Sequence, residues 1–158
     1  MRTGLIPGSF DPLHNGHLGV IEMASRLFER VVVAAVRNPG KEPLFTLEER
    51  QEMLEESLAH LDNVETTSFS GLVVDLAAEV DATAIVKGLR AVSDLENELQ
   101  MAQMNRAMSG IDTILIPTTS TSSYIASKYV KDFARGGRDV SDMVPEPVAK
   151  RIREKFAK

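Results

Sequence analysis

Residues 8–17 read GSFDPLHNGH, and this stretch sets the interpretation of the whole chain. It follows an apolar run, Arg2–Ile6, and precedes a segment with helical periodicity, Leu18–Phe28. Two of the three histidines in the chain, His14 and His17, lie in it beside two glycines. Glycine lets a backbone approach a ligand closely, and the free N–H groups of a helix N-terminus attract anions. The stretch therefore predicts a strand-to-helix turn that binds an anionic group, with His17 in the first helical turn.

Apolar runs of strand length alternate with helical patterns along the rest of the chain. These strand runs are continuously apolar, as strands covered on both faces of a parallel sheet must be. We therefore predict an α/β fold, a doubly wound five-stranded parallel sheet with Rossmann-like order, in a single domain spanning 1–158. A C-terminal helical appendage is expected after the RGGRD break at 135–139. The predicted strands are Arg2–Ile6, Arg30–Val36, Val64–Thr67, Ala82–Val86 and Thr113–Ile116, and the predicted helices are Leu18–Phe28, Leu47–Leu58, Leu72–Val80, Asp94–Met108, Ser122–Ala134 and Pro145–Phe156.

Two of these helices carry capping-box patterns at their starts, in which a Ser or Thr is followed three residues later by Glu. Thr46 with Glu49 precedes the second helix, and Ser93 with Glu96 precedes the fourth. The threonine and the serine are each therefore predicted to accept a hydrogen bond from the backbone of the helix that they begin.

The composition limits the classes of function. The chain has 158 residues, 43% of them hydrophobic and 26% charged, and no cysteine, which excludes disulfides and thiolate metal sites. No apolar run approaches the length that crosses a bilayer, and no secretory signal precedes the first strand, so we expect a cytoplasmic protein outside the membrane. A net charge of -5 disfavours broad binding to nucleic acid. Any anion site must therefore be local.

The predicted topology brings four unusual loops to one edge of the sheet. In a Rossmann-like order strand 1 lies beside strand 4, and ligands bind outside the carboxyl ends of the strands at that reversal of winding. The GSFDPLHNGH motif follows strand 1, and KGLR at 87–90 follows strand 4. RNPGKEP at 37–43, which contains Lys41, follows strand 2, and PTTSTSS at 117–123 follows strand 5. We expect these loops to form one phosphate-binding rim.

The two histidines of the motif allow three interpretations. A metal pair needs a third ligand at suitable spacing, and none stands near His14 and His17. Structural histidines are the common case for an isolated His, but the flanking glycines at a strand end favour a catalytic or phosphate-binding role for His17.

Several motifs together resemble a known family. His14-Asn15-Gly16-His17 matches the HxGH signature of the nucleotidyltransferase α/β superfamily. PLFTLEERQEML, VKGLRAVSDLENELQMAQMNR and GGRDVSDMVPEPV resemble bacterial phosphopantetheine adenylyltransferases over nearly the whole length. The resemblance implies adenylyl transfer from ATP to 4'-phosphopantetheine, which gives dephospho-coenzyme A and pyrophosphate, with Mg2+ as cofactor. It also implies a homohexamer. Met101, Met104 and Met108, which are spaced at helical intervals, are by default core or subunit interface rather than a ligand site.

The same resemblance implies a role for individual residues. Ser9 and Phe10 would hold nucleotide and acceptor, and His17 would contact the transferring phosphate as the catalytic residue. Lys41 and Lys87 would face the phosphate of the acceptor. Val73 would line the site of its pantetheine arm. The remaining nucleotide-binding positions implied are Gly88, Leu89, Arg90, Glu98, Ser122, Ser123, Tyr124, Ile125, Ala126, Ser127 and Lys128, of which the last seven form a loop for the distal phosphates.

These residue types suit phosphoryl chemistry. The phosphate of the acceptor is already an ionised nucleophile, so the site needs cations and amides to hold two polyanions rather than a general base. The chain departs from the family at Ser9, where threonine is common, and at 126–128, where Ala-Ser-Lys replaces three serines. A helix that begins near Ser122 would still offer free amides, and the ammonium of Lys128 either compensates for the lost hydroxyl or points to solvent.

Two other functions stay open at this point. One is another superfamily activity, such as nicotinamide mononucleotide adenylyltransferase or cytidylyltransferase. The second is a nucleotide-binding regulatory protein without turnover, which the intact HxGH motif and the full set of basic residues disfavour.

Overall fold

The computed structural model describes residues 1–157, in which five parallel strands form one sheet. The doubly wound α/β prediction is confirmed. Lys158, the last residue of the predicted single domain, lies outside the described residues, and the assignment of 1–158 to one domain stays a prediction. The elements in chain order are β1 Thr3–Gly8, α1 Asn15–Leu27, β2 Arg30–Val36, α2 Leu47–Ser57, β3 Val64–Phe69, α3 Val73–Glu79, β4 Ala84–Leu89, α4 Val92–Ser109, β5 Asp112–Pro117, α5 Ser127–Arg135, a 3-10 turn at Ser141–Met143 and α6 Glu146–Phe156.

The sheet has the order β3-β2-β1-β4-β5, so β1 lies beside β4 as expected. Three strands extend two or three residues beyond the predicted apolar runs. Gly8 of β1 pairs with Ala35, and Leu89 of β4 pairs with Pro117. Backbone pairing with the neighbouring strand continues past the last buried side chain, and hydrophobicity alone therefore gives strand ends that are too early.

The side chains of the central strands alternate between two cores. Val31 and Val33 of β2 lie in the main core, whereas Val32 and Ala34 point to the smaller core on the other face. Helices α1, α2, α5 and α6 cover the main core, and α3 covers the smaller one. Both faces of the central strands are covered, which is why β1, β2 and β4 contain continuous apolar runs. The edge strands β3 and β5 are mostly half-buried or exposed, and the sequence of β3, VETTSF, is largely polar.

The C-terminal helix is part of this main core. Val148, Ala149 and Ile152 of α6 are buried in it, and Arg151 pairs with Glu56 of α2 at 2.6 Å. The predicted appendage is therefore present as a helix packed against the body of the protein rather than as a separate piece.

The structure corrects three predicted helix starts. Helix α1 begins at Asn15, three residues before the predicted Leu18. In the described chain α4 has no side-chain cap and its N-cap is Ala91, so the predicted capping role of Ser93 is wrong. Helix α5 begins at Ser127, not at Ser122. The amides of Ser122 and Ile125 bond to the carbonyls of Thr119 and Ser122 in successive turns, and this serine- and threonine-rich segment therefore does not join the helix.

Helix α4 is the least covered element. None of its eighteen residues, all of them described, is buried. Met101, Met104 and Met108 are 59%, 58% and 73% exposed, so the interpretation of this stripe as core is wrong and the interface interpretation stays open. Among the described residues no helix is both long and apolar enough to cross a membrane.

The capping box at Thr46 is confirmed and gives a stability prediction. Its hydroxyl accepts from the amide of Glu49 at 3.1 Å, and the Glu49 carboxylate accepts from the amide of Thr46 at 3.0 Å. Thr46→Ala is expected to lower the free energy of unfolding by about 1 kcal/mol, measured by urea denaturation. Ser93→Ala is the matched control and should change it by less than about 0.5 kcal/mol. Equal losses would mean that the hydroxyl of Thr46 does not cap α2.

Candidate active site

A cleft of about 360 Å³ opens at the carboxyl ends of β1 and β4. Residues from the loops after β1, β2, β4 and β5 line it, so the four loops converge as the topology predicted. The lining residues include Ile6, Pro7, Gly8, Ser9, Phe10, His14, Gly16, His17, Val20, Lys41, Val86, Lys87, Gly88, Arg90, Glu98, Thr118, Ala126, Ser127 and Lys128.

Most of the predicted site residues line this cleft, and some lie elsewhere. Ser9, Phe10, His17, Lys41, Lys87, Gly88, Arg90, Glu98, Ala126, Ser127 and Lys128 are in its wall. Val73 packs against the smaller core at the start of α3, Leu89 ends β4, Ile125 and Ser122 are buried, Ser123 is half-buried, and Tyr124 is exposed. The individual roles stay predictions.

Sequence reasoning placed His14 and Thr118 in loops of the predicted rim but did not name either of them as a binding residue. Both line the cleft. Thr118 follows β5 directly, and its amide bonds to the carbonyl of Leu89 at 2.9 Å, so its position beside the end of β4 is a consequence of strand pairing. His14 was visible in the HxGH motif, but only the tertiary structure puts its ring against that of His17.

The two histidines cap helix α1 with their own side chains. Nδ1 of His14 accepts from the amide of Gly16 at 3.0 Å, and Nδ1 of His17 accepts from the amide of His14 at 3.1 Å. The rings stack with centroids 3.6 Å apart. Because each Nδ1 is an acceptor, the proton of each neutral imidazole is assigned to Nε2. The capping bonds therefore fix the tautomer.

Gly16 is required by this stacked arrangement. A Cβ at position 16 would lie 2.8 Å from Cε1 of His14, which is closer than real contacts allow. Phe10 completes the packing, with its ring edge-on to that of His17 at 5.0 Å between centroids. Its backbone has φ 47°, a left-handed conformation that is uncommon outside glycine and clusters at functional sites.

Both histidines are neutral at pH 7. Burial, followed by the charge of Arg90, lowers the pKa of His14 from 6.5 to about 4. Burial lowers the pKa of His17 well below 6.5, and His14, Arg90 and Lys87 lower it further. His17 can therefore act as a neutral hydrogen-bond donor through Nε2 rather than as a cation.

The positive charge of the cleft comes from Lys41, Lys87, Arg90 and Lys128. Glu98 lies 3.7 Å from the ammonium of Lys87. Arg90 pairs with Asp94 at 3.4 Å and donates to the carbonyl of Ile125 at 3.2 Å. These contacts orient the two cations, in a chain whose net charge is -5.

The described part of the cleft offers no metal site of its own. Among the described residues, no group of three or more His, Asp or Glu side chains is placed to hold a metal ion. Glu98 is the one carboxylate among the described lining residues, and it pairs with Lys87. The residues present therefore do not fit a Mg2+ ion held by the protein alone.

The fold and the cleft together define a class of nucleotidyltransferase. The family described as Cytidylyltransferase-like matches residues 5–133. The chain is 53% identical over 154 residues to the phosphopantetheine adenylyltransferase of Gloeobacter violaceus, an alignment that covers 97% of this chain and 96% of the relative. The chain therefore belongs to the Cytidylyltransferase-like family and, within it, to the phosphopantetheine adenylyltransferases, which confirms the resemblance seen in the sequence.

Two solved structures share the fold. A candidate nicotinate-nucleotide adenylyltransferase from Vibrio parahaemolyticus superposes with a TM-score of 0.67 at 15% identity, covering 96% of this chain and 99% of the other. A lipopolysaccharide core biosynthesis protein from Thermoplasma volcanium has a TM-score of 0.55 at 24% identity, covering 75% and 97%. At these identities the likeness concerns the fold alone.

The lowered pKa of His14 predicts how stability depends on pH. Between pH 6.5 and about 4 the unfolded chain binds a proton at His14 and the folded chain does not. Protonation therefore favours the unfolded chain, and the free energy of unfolding decreases as the pH falls through this interval. His14→Asn keeps a capping oxygen and removes the titration. We expect the wild type to lose about 3 kcal/mol more than His14→Asn over this interval, measured by urea unfolding at several pH values.

If the free energy of unfolding of His14→Asn depends on pH as strongly as that of the wild type, the imidazole of His14 is accessible to protons in the folded state.

Proposed function

We propose that this protein transfers the adenylyl group of ATP to 4'-phosphopantetheine, giving dephospho-coenzyme A and pyrophosphate in coenzyme A biosynthesis. The observation that carries the proposal is the cleft, in which the HxGH histidines surround one space together with four cations from three segments of the chain: Lys41 after β2, Lys87 and Arg90 at the end of β4, and Lys128 in α5. A second support is the 53% identity to a relative that is named for this activity.

The reaction needs positioning and charge stabilisation more than proton transfer. The phosphate of the acceptor is an ionised nucleophile that attacks the α-phosphorus in line with the departing pyrophosphate. In the proposed arrangement Nε2–H of His17 donates to a non-bridging oxygen of the α-phosphate, where charge accumulates in the transition state. A neutral donor with a fixed tautomer suits this role, because it needs no proton uptake before the reaction.

The two substrates divide the cationic groups between them. Lys41, on the loop after β2, and Lys87, on β4, are assigned to the phosphate of the acceptor. The first turn of α5 and Lys128 are assigned to the distal phosphates of ATP. The hydroxyl of Ser127 donates to the carbonyl of Pro12 at 2.8 Å, so the backbone amide of Ser127 rather than its hydroxyl is left for an anion.

Mg2+ is proposed as the cofactor that enters with ATP. Because the cleft offers no set of free carboxylates among the described residues, the phosphates of the nucleotide would supply most ligands of the ion. The ion would neutralise phosphate charge; the residues named above do the positioning.

The exposed face of α4 supports the proposal of a homohexamer. Val92, Met101, Met104 and Met108 are all more than half exposed, and Ile114 of β5 is 41% exposed. An apolar surface of this kind marks a protein interface more often than a free surface. The proposed location of the enzyme is the cytoplasm, where its substrates ATP and 4'-phosphopantetheine would be available.

The substrate assignment is tested by measuring pyrophosphate release. The protein is incubated with ATP or CTP and with 4'-phosphopantetheine, nicotinamide mononucleotide or no acceptor. We expect release only with ATP and 4'-phosphopantetheine together, and His17→Ala should reduce kcat about 100- to 1,000-fold while ATP binding is retained. Release with CTP or with the mononucleotide would assign another superfamily activity, and no release with any acceptor would favour a regulatory nucleotide-binding protein.

Lys41 and Lys128 serve as controls for each other in a second kinetic prediction. Lys41→Ala is expected to raise the KM for the acceptor about tenfold or more and to leave the KM for ATP within about twofold. Lys128→Ala is expected to do the reverse, with an effect that shrinks at high salt because the contact is exposed. An unchanged KM for ATP in Lys128→Ala at low salt would leave this lysine as solvated surface.

The assembly proposal is tested by light scattering. The wild type is expected at six times the monomer mass at micromolar concentration, and Met104→Glu should dissociate it, because a buried charge without a partner opposes association. Leu27→Glu on α1 is the matched control, since Leu27 is 61% exposed and lies off the α4 face. A monomeric wild type would contradict the proposal.

A further inference from the structure

A partly buried ion pair joins the turn after β1 to helix α5. The carboxylate of Asp11 is 8% exposed and the side chain of Lys131 is 20% exposed, with Nζ and Oδ2 3.1 Å apart. Neither residue is among those that line the cleft, and the chemistry proposed above uses neither of them. A buried carboxylate is costly unless it is paired and hydrogen-bonded, so the contacts that it makes indicate what it is there to hold.

The contacts of Asp11 join two segments that are far apart in sequence. Oδ2 accepts from the amide of Leu44 and Oδ1 accepts from the amide of Phe45, both at 2.9 Å. These amides end the loop that carries Lys41 from β2 to α2. Residues 37–43 are all exposed, and burial therefore does little to fix where the ammonium of Lys41 points. The two bonds to Asp11 anchor the α2 end of that loop.

Lys131 connects the same carboxylate to α5. It lies one helical turn after Ser127, whose hydroxyl donates to the carbonyl of Pro12 at 2.8 Å. Helix α5 itself is fixed by Val130 and Ala134 in the main core. The carboxylate of Asp11 is therefore held from one side by a rigid helix, and it holds the exposed loop on the other side.

We infer that Asp11 and Lys131 are positioning residues that set the place of Lys41 over the cleft, and so the binding of the acceptor phosphate. The inference rests on the proposed function, in which Lys41 meets that phosphate. A misplacement of catalytic or substrate-positioning groups by about 1 Å can cost about 100-fold in rate, which is why an anchor for an exposed loop affects the rate.

The test is whether the effect of Asp11→Asn on the reaction with the acceptor depends on the presence of Lys41. The kcat/KM for the acceptor, 4'-phosphopantetheine, is measured for Asp11→Asn in the wild-type and in the Lys41→Ala background. We expect Asp11→Asn to lower kcat/KM for the acceptor about tenfold in the wild-type background and less than about twofold in the Lys41→Ala background. The effects of the two substitutions are not additive if the residues act as a unit. Equal losses in both backgrounds would overturn the inference and leave Asp11 with a structural role alone.

Lys131 supplies a second variant that keeps the two amide contacts, in case Asp11→Asn does not fold. Lys131→Met is expected to lower kcat/KM for the acceptor about fivefold with the KM for ATP unchanged, and Lys131→Arg to restore it within about twofold. Arg135→Met is the control, because it removes an exposed cation from the same helix. An effect of Arg135→Met equal to that of Lys131→Met, or no effect of Lys131→Met, would overturn the inference. A wild type that releases no pyrophosphate would instead contradict the proposed function.

Discussion

The parallel pairing of β1 with β4 is the constraint on which the other features depend. All strands of the described sheet run in one direction, so every loop that follows a strand begins at the same edge. The winding reverses between β1 and β4, and the loops there separate and leave a cleft. The HxGH turn follows β1, and Lys87 and Arg90 lie at and just beyond the end of β4. The position of the site is therefore a property of the strand order.

The cleft combines neutral donors with separated cations. Both histidines lose their charge through burial and through nearby Arg90, whereas Lys41 and Lys128 remain on exposed segments. The exposed ammonium groups and the two neutral imidazoles line the same cleft. Charge that is spread over several loops also allows an acidic protein to bind anions without a general attraction for nucleic acid.

Hydrogen bonds of two charged residues outside the cleft hold its loops in position. Arg50 is 4% exposed and donates to the carbonyl of Ser9 at 2.8 Å, which joins the start of α2 to the end of β1. The carboxylate of Asp11, two residues after Ser9, accepts hydrogen bonds from the amides of Leu44 and Phe45, just before α2. Both residues are buried charges whose side chains satisfy backbone groups of the segments around the cleft.

The sequence by itself determined the fold class, the order of the elements, the HxGH turn and the four loops at the rim. Apolar periodicity and short glycine-rich motifs involve residues that are close together in the chain, so they can be recognised in a single sequence. It did not determine that α5 begins at Ser127, because the competing turns at 119–125 are stabilised by their own hydrogen bonds. Nor did it reveal the stacking of His14 on His17 or the pairing of Asp11 with Lys131, 120 residues apart. Such contacts depend on how distant segments pack, and only the tertiary structure decided them.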